Sequence, residues 1–459
     1  MKEFVGYHSE WNLGSPGGWD YQRITQVIGK AVWEKTNKIN PPGIDLDFDH
    51  PALFPVVGFV DMLVEAHRNR EGSNPGLIAV VAEEETLEDV TENKNLAKHL
   101  DAVDGISSGL MAPHELELDN GTVCWKGTPV SIIFMDFNTD VLISLHRKQG
   151  LDPVLQAVKE GRVINPRGTE PINVKSMYEI VNGRFRQHFH EEIVARTPWT
   201  RQFYDRSTDG PNGEPIDDIV AWTRSNWDNL VLKPERGYSG HGVRVGGINT
   251  SADEAIARAL RGEDYIVQEK IPLNIWAEDI PVVKNGGILL ERFQTDFRCL
   301  TGPNGLFGFL GRIGGVPTNV GSGGGVQPLA VLNSDLPVRD AVNKINDAIL
   351  SAGYGEMEAV LHEQEKMALD FDFTYLLGPI SIALRPRIIT LKQIRALDDY
   401  CRHLWSDCCT MEKMWLSGQL DDIVKIEEEE LEIARMNPWG GSHAIIASDG
   451  LFGFGAQPL

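Results

Sequence analysis

The run NLVLKPERGYSGHGVRVGG, residues 229–247, constrains this chain more than any other. LVLKP is an apolar strand carrying Lys233, GYSGHG is a loop of small residues, and GVRV reads as a returning strand. Glycines let backbone N–H groups approach phosphate oxygens closely, and Lys233 adds a fixed positive charge beside them. No Walker loop is present, because the lysine precedes the glycines and nothing matches GxxxxGKS or GxxxxGKT. A plain β-hairpin with a glycine turn has the same pattern, so this segment alone leaves both readings open.

Three later segments narrow the choice. YIVQEKI, residues 265–271, places Gln268 and Glu269 at the end of a strand. TDFRCL alternates Asp296 and Arg298 with apolar neighbours. GFLGRIGGVPTNVGSGGGVQP, residues 308–328, carries Arg312, Asn319 and a glycine-rich loop. Near the start, SEWNLGSPGG sets Glu10 and Asn12 two residues apart, so a strand there shows both on one face. Asp45 and Asp47 in GIDLDFDH repeat that spacing on what reads as an exposed loop.

The rest of the chain sets the frame. EFVGYHSEWN reads as a short strand, followed by a helix from about residue 21 to 35. Apolar residues at helical spacing over 53–70, the continuous apolar run GLIAVVAEE, a helix near 86–100 and the strand VSIIFMDF alternate. That alternation predicts a doubly wound α/β unit over about 40–170. Strands joined by glycine-rich loops follow to about residue 350, and beyond them the chain reads as helical and acidic. The EEEE run at 427–430 is expected on a solvated helix face.

A formal charge of −23 argues against a nucleic-acid or membrane-surface partner, which would repel the chain at long range. Five cysteines without a CxxC pair read as reduced thiols, and the N-terminus shows no secretory pattern. A cytoplasmic protein is the expectation. HFHEE, residues 188–192, would put His188 and His190 on one strand face, but it offers no HExxH and no third ligand. Trp199 and Trp222 are expected in packing and not in base stacking.

In this order the segments resemble the ATP-grasp superfamily. The resemblance implies ATP as cofactor, with Lys233, Gly240 and Gly242 at the phosphates, joined by Ser239 and His241 of the same loop. It implies Gln268, Glu269, Lys270 and Ile271 around adenine and ribose, with Asn319 in the glycine-rich lid. Arg298 and Arg312 would face the transferred phosphoryl group as catalytic residues. The family also needs an ExN strand for Mg²⁺, a hard cation that takes oxygen ligands. Glu10 and Asn12 are the match, at the wrong end of the chain for the linear order, as in circularly permuted ATP-grasp proteins such as eukaryotic glutathione synthetase. Lys175 in INPRGTEPINVKSMYEIV becomes a second phosphate ligand, and Asp449 in HAIIASDGLFGFG would stand beside Glu10 as a further metal ligand. The alternative for the C-terminal part is a separate helical appendage.

The implied fold is α/β, with α+β character in the nucleotide-binding part: a permuted ATP-grasp core with a Rossmann-like domain and a helical C-terminal region. The implied division is 1–40 metal strand and helix, 41–170 Rossmann-like domain, 171–350 nucleotide-binding region with lid, and 351–459 C-terminal region. One departure stands out: where permuted relatives carry a substrate-gripping arginine, this chain has Met135, Asp136 and Asn138. The implied activity joins a small-molecule carboxylate to an amine, of amino-acid or peptide kind, through an acyl-phosphate. A nucleotide-binding protein without ligase activity, or a kinase, are the competing classes.

Overall fold

LIAVV at Leu77–Val81 has no polar side chain to turn outward, and it is buried on both faces. A computed structural model describes the whole chain except residues 1–2, 71–75, 238–241, 249, 263, 317, 319, 321–322, 376–377 and 457–459. In it Leu77–Val81 lies between the parallel strands Ser108–Met111 and Thr128–Met135, and Val163–Ile164 pairs in parallel beyond the latter. Ile78, Val80, Ile132 and Phe134 pack with residues of the helices Pro55–Arg70 and Thr91–Asp101. The alternate residues Ala79, Val81, Ile133 and Met135 pack with the helices Thr139–Gln149 and Asp152–Lys159. Each fully buried aliphatic side chain here contributes about 1.5–3 kcal/mol. An antiparallel hairpin, Leu116–Asp119 and Thr122–Trp125, adds to this sheet. Its Asn120–Gly121 turn has positive φ at both residues, as a two-residue hairpin demands.

The second large sheet is antiparallel. Its order is Val5–Asn12, Ile446–Gly453, Gly287–Gly302, Gly305–Gly314 and Gly325–Gln327, with Ala277–Lys284 paired to the early part of Gly287–Gly302. The C-terminal region is therefore no separate appendage, since one of its strands sits inside this sheet. Trp11, Phe297, Cys299, Phe309 and Phe452 form a core with Tyr400, Leu404 and Cys408 of the long helix Leu391–Leu416. Thr390 and Gln393 close a capping box at that helix's start. The Tyr400 hydroxyl lies 3.0 Å from His8 Nδ1 and 2.6 Å from Ser448 Oγ, tying the helix to both terminal strands.

A small antiparallel sheet runs Arg244–Val245, Leu230–Pro234, Tyr265–Glu269 and Thr200–Gln202. Its core holds Trp199 and Trp227, and Trp222 packs on Trp199 with ring centres 5.2 Å apart. The fold is thus mixed α/β.

Two readings need correction. Glu430 of the EEEE run is only 2% exposed, because Arg236 grips its carboxylate at 2.8 and 2.7 Å. His188 ends a 3-10 turn and His190 precedes the helix Glu191–Arg196, so no strand pairs them. His190 instead lies 2.6 Å from Asp407 and stacks on His403. All five cysteines are free thiols. Among the described residues, no helix is long and apolar enough to cross a membrane.

Asn165 joins the two large sheets. Fully buried at φ 56°, it donates to the carbonyls of Leu13 and Ile445 and accepts from Ile445 N. Asn165→Ala should cost about 3 kcal/mol, since it strands several buried polar groups. A lowered urea midpoint at unchanged m-value is the expected measurement.

Candidate functional site

Period-2 alternation decides which side chains share the free face of the antiparallel sheet. Trp11, Phe297 and Cys299 point into the core under the long helix. Glu10, Asn12, Asp296 and Arg298 therefore point the other way. Register pairs Glu10 with Asp449, Asp449 with Arg298, and Asp296 with Arg312. Residues 440 positions apart in sequence thus meet on one surface.

The centre of that surface is Asp449. Arg298 Nε and Nη2 donate to its two oxygens at 2.6 and 2.8 Å, and Arg312 Nη2 lies 2.8 Å from Oδ2. Arg312 also donates to Asp296 Oδ2 at 2.8 Å. Burial opposes ionisation of Asp449, but the two guanidiniums outweigh it and hold the carboxyl well below the usual range. For Asp296 burial wins, and its carboxyl is raised despite Arg312. Asp296 Oδ1 is buried with no hydrogen-bond partner among the described residues. Two arginines and two aspartates thus balance one another, so Arg298 and Arg312 are already engaged.

Lys233 reaches this surface from the small sheet. Its Nζ donates to the Ser9 carbonyl at 3.0 Å. Burial lowers its pKa to about 8; Glu10 and Asp449 push the other way, and Lys175 adds to the drop. Lys175 Nζ lies 3.6 Å from Glu10 Oε1 and donates to the Gly237 carbonyl at 3.3 Å. Two lysines therefore converge on the first strand. Gly242 has φ +77°, and a Cβ there would sit 2.6 Å from Pro234 Cγ. Ser239, Gly240, His241 and Asn319 lie outside the described residues.

The strand Tyr265–Glu269 separates its candidates. Gln268 is 2% exposed and donates to Thr200 Oγ1, so its side chain serves the core of the small sheet. Glu269 is exposed at the strand end. Lys270 Nζ donates to the Gly246 carbonyl at 2.9 Å, and Ile271 is buried. Asp47 pairs with Val331 in a different sheet from Glu10, and Asp45 is exposed.

The loop after the first strand meets the carboxyl ends of the parallel strands. Gly18, Asp20 and Tyr21 donate their N–H groups to the Glu92 carboxylate. This lets the helix Trp19–Ile39 begin two residues before its expected start. The chain's own carboxylate thereby fills the anion-attracting end of the helix. Burial pushes Glu92 up to about 7, opposed by those backbone bonds. Arg298 Nη1 holds the Gly17 carbonyl at 2.9 Å, tying the loop to the charged cluster. Asn138 stands so close to Gly14 that a Cβ there would meet its Oδ1 at 2.2 Å. Asp136 accepts from Asn93 at 2.6 Å, and burial raises it to about 6. Met135 is wholly buried and packs with Ala79 and Ile133 in the core. Asn93 and Glu92 escaped sequence reasoning as neighbours of this loop, because nothing local in 91–101 marks a helix that caps another.

Glu10, Asn12 and Asp449 supply two carboxylates and one amide, a hard oxygen set suited to Mg²⁺ with retained waters. A carboxylate oxygen has two acceptor sites. Among the described residues Asp449 Oδ1 accepts from Arg298 Nε, which leaves it a second lone pair. Glu10 has a lysine as its ion-pair partner, and Asn12 Oδ1 accepts from Gly14 N at 3.2 Å. The donor types suit the metal, while among the described residues no group of three or more His, Cys, Asp or Glu side chains stands together to hold one.

The chain is similar to solved structures of ATP-grasp proteins. A RimK-domain ATP-grasp protein from Sphaerobacter thermophilus is 16% identical at TM-score 0.26, over 46% of this chain and 71% of that one. A glutathione synthetase-like effector from Globodera pallida is 12% identical at TM-score 0.34, over 58% of this chain and 55% of that one. The macrocyclase MdnC from Microcystis aeruginosa is 12% identical at TM-score 0.31, over 62% and 83%. No protein-family model and no curated protein matches. Likenesses at these scores are too loose to assign chemistry, which rests on the geometry above.

A lysine with a pKa near 8 has a reactive neutral amine at mild pH. In metal-free protein, Lys233 should react with an acylating reagent along a titration centred near pH 8. Glu10→Gln should move that midpoint down by removing the main stabilising charge. Peptide mass spectrometry across pH 6–11, a range of roughly five units around ordinary lysine behaviour, reads both profiles.

Proposed function

We propose that this chain is an ATP- and Mg²⁺-dependent carboxylate–amine ligase with a circularly permuted ATP-grasp core, its parallel α/β unit serving as a Rossmann-like substrate domain. The observation that carries the proposal is the convergence of Lys233 and Lys175 on the strand bearing Glu10, beside the Asp449–Arg298–Arg312 cluster. A triphosphate needs fixed cations along its length and oxygen ligands for its metal, and this surface offers both.

In this reading Lys233 and Lys175 hold the phosphates. Glu10, Asn12 and Asp449 would hold Mg²⁺, which when bound neutralises charge on the transferred phosphoryl group. A carboxylate oxygen of the substrate attacks the γ-phosphorus, ADP leaves, and an acyl-phosphate forms. An amine then attacks the acyl carbon, and phosphate departs with the bonding electron pair. Arg298 and Arg312 take up charge on the phosphoryl oxygens as their ties to Asp449 and Asp296 loosen. No protein nucleophile takes part. Asp136, standing where relatives carry an arginine, suits the amine better than a carboxylate.

The second reading, nucleotide binding without ligation, draws on the arginines being engaged by aspartates. ADP release that needs both a carboxylate and an amine separates ligase from kinase and from binding protein. Screening amino acids and polyamines in pairs, with mass detection of the product, makes that measurement.

Lys233→Ala should abolish the ATP-dependent rise in Tm while the fold survives. Glu10→Gln should keep nucleotide binding yet lower Mg²⁺-dependent ADP formation by about 10²–10³-fold. An unchanged ATP response in the first variant, or full turnover in the second, removes that residue from the site.

A further inference from the structure

The other side of the antiparallel sheet holds an opening that the proposed reaction does not use. A cavity of about 160 Å³ lies where Thr295 and the start of the long helix meet both ends of the described chain. Thr295 is on the face of Phe297, opposite to Asp296 and the charged cluster. Phe4 and Phe454 contribute apolar walls, while Trp276, Glu278 and Arg387 contribute polar groups.

These polar groups leave donors in excess. Trp276 is 5% exposed, and its Nε1–H has no acceptor among the described residues. Arg387 is 1% exposed. It donates to the carbonyls of Phe452 at 2.6 Å and Asp296 at 3.4 Å, and its Nε lies 3.2 Å from Glu278. A guanidinium carries five N–H bonds, so these contacts leave some of them unmatched. Glu278 is itself shared with buried Arg385 at 2.6 Å. Among the described residues Glu278 thus faces two buried guanidiniums and an indole N–H without an acceptor; Asp296, the other carboxylate acting on Arg387, is itself paired with Arg312. Glu3, the other acidic residue lining the cavity, is exposed, and solvent screens it.

Unpaired donors and surplus positive charge in a part-apolar cavity call for an anionic acceptor with a hydrocarbon body. We propose that this cavity binds a small organic carboxylate, whose oxygens accept from Trp276 Nε1–H and Arg387 while its apolar part lies against Phe4 and Phe454. The site does not depend on the ligase reading. It is nonetheless linked to the opposite face, because Arg387 holds the backbone carbonyl of Asp296, whose side chain pairs with Arg312.

Thermal unfolding of the full chain with sodium acetate, propionate or benzoate, against sodium chloride at equal ionic strength, tests this. At least one carboxylate should raise Tm in a saturable way, and propionamide should not. Trp276→Phe keeps the ring and removes the donor; it should need about tenfold more ligand for the same rise, as loss of a hydrogen bond to a charged group predicts. If that variant does not fold, Arg387→Lys, which retains charge but not the fork, should show the same weakening. Lys233→Ala should respond like the wild type. The proposal is overturned by the absence of any carboxylate-specific rise. An undiminished response in the variant that folds, or a response lost in Lys233→Ala, overturns it equally.

Discussion

Asp449 is a buried charge, and buried charges persist only when partners replace the water they have lost. Its partners are two arginines on two different strands, and one of them also holds the loop that follows the first strand. The arrangement exists only while Ile446–Gly453 lies between Val5–Asn12 and Gly287–Gly302. Withdrawing that strand would leave Arg298 and Arg312 with positive charge on a surface that already carries Lys233 and Lys175. Electrostatics and strand order therefore depend on each other. The backbone ladder brings the charges together, and their pairing makes their burial tolerable.

Lys233 of the small sheet and Lys175, just before the helix Met177–Asn182, meet the carboxylates of the large sheet at the first strand. Lys233 to Ser9 and Lys175 to Glu10 are contacts that a competing anion could replace. The surrounding anchors differ in kind. Asn165 and Glu92 bind backbone groups deep inside, so they fix the first strand and its loop whatever the lysines do.

Much of this was readable in the chain. The uninterrupted apolar run LIAVV read as a doubly covered strand, and the helical spacing over 53–70 was plain. Alternation in TDFRCL and SEWN placed Asp296 with Arg298 and Glu10 with Asn12 before any coordinates. What stayed hidden was pairing at long range. Nothing near Glu430 announces Arg236, and nothing near Glu92 announces the N-terminus it caps. The 116–125 hairpin carries a local mark, its Asp–Asn–Gly turn. Gln268 was expected at the nucleotide only through the resemblance, and its side chain is turned towards Thr200.

The slot filled by Ile446–Gly453 also has a meaning for biosynthesis. Both neighbouring strands leave the ribosome long before residue 446, with the edges that will receive it unpaired. Open strand edges are templates for wrong partners. Until the slot is filled, the nascent chain carries two such edges together with the uncovered apolar surface awaiting the long helix. A nascent chain in that condition is a natural client for chaperones, and truncation just before residue 446 should send it towards aggregation and not towards a smaller folded protein.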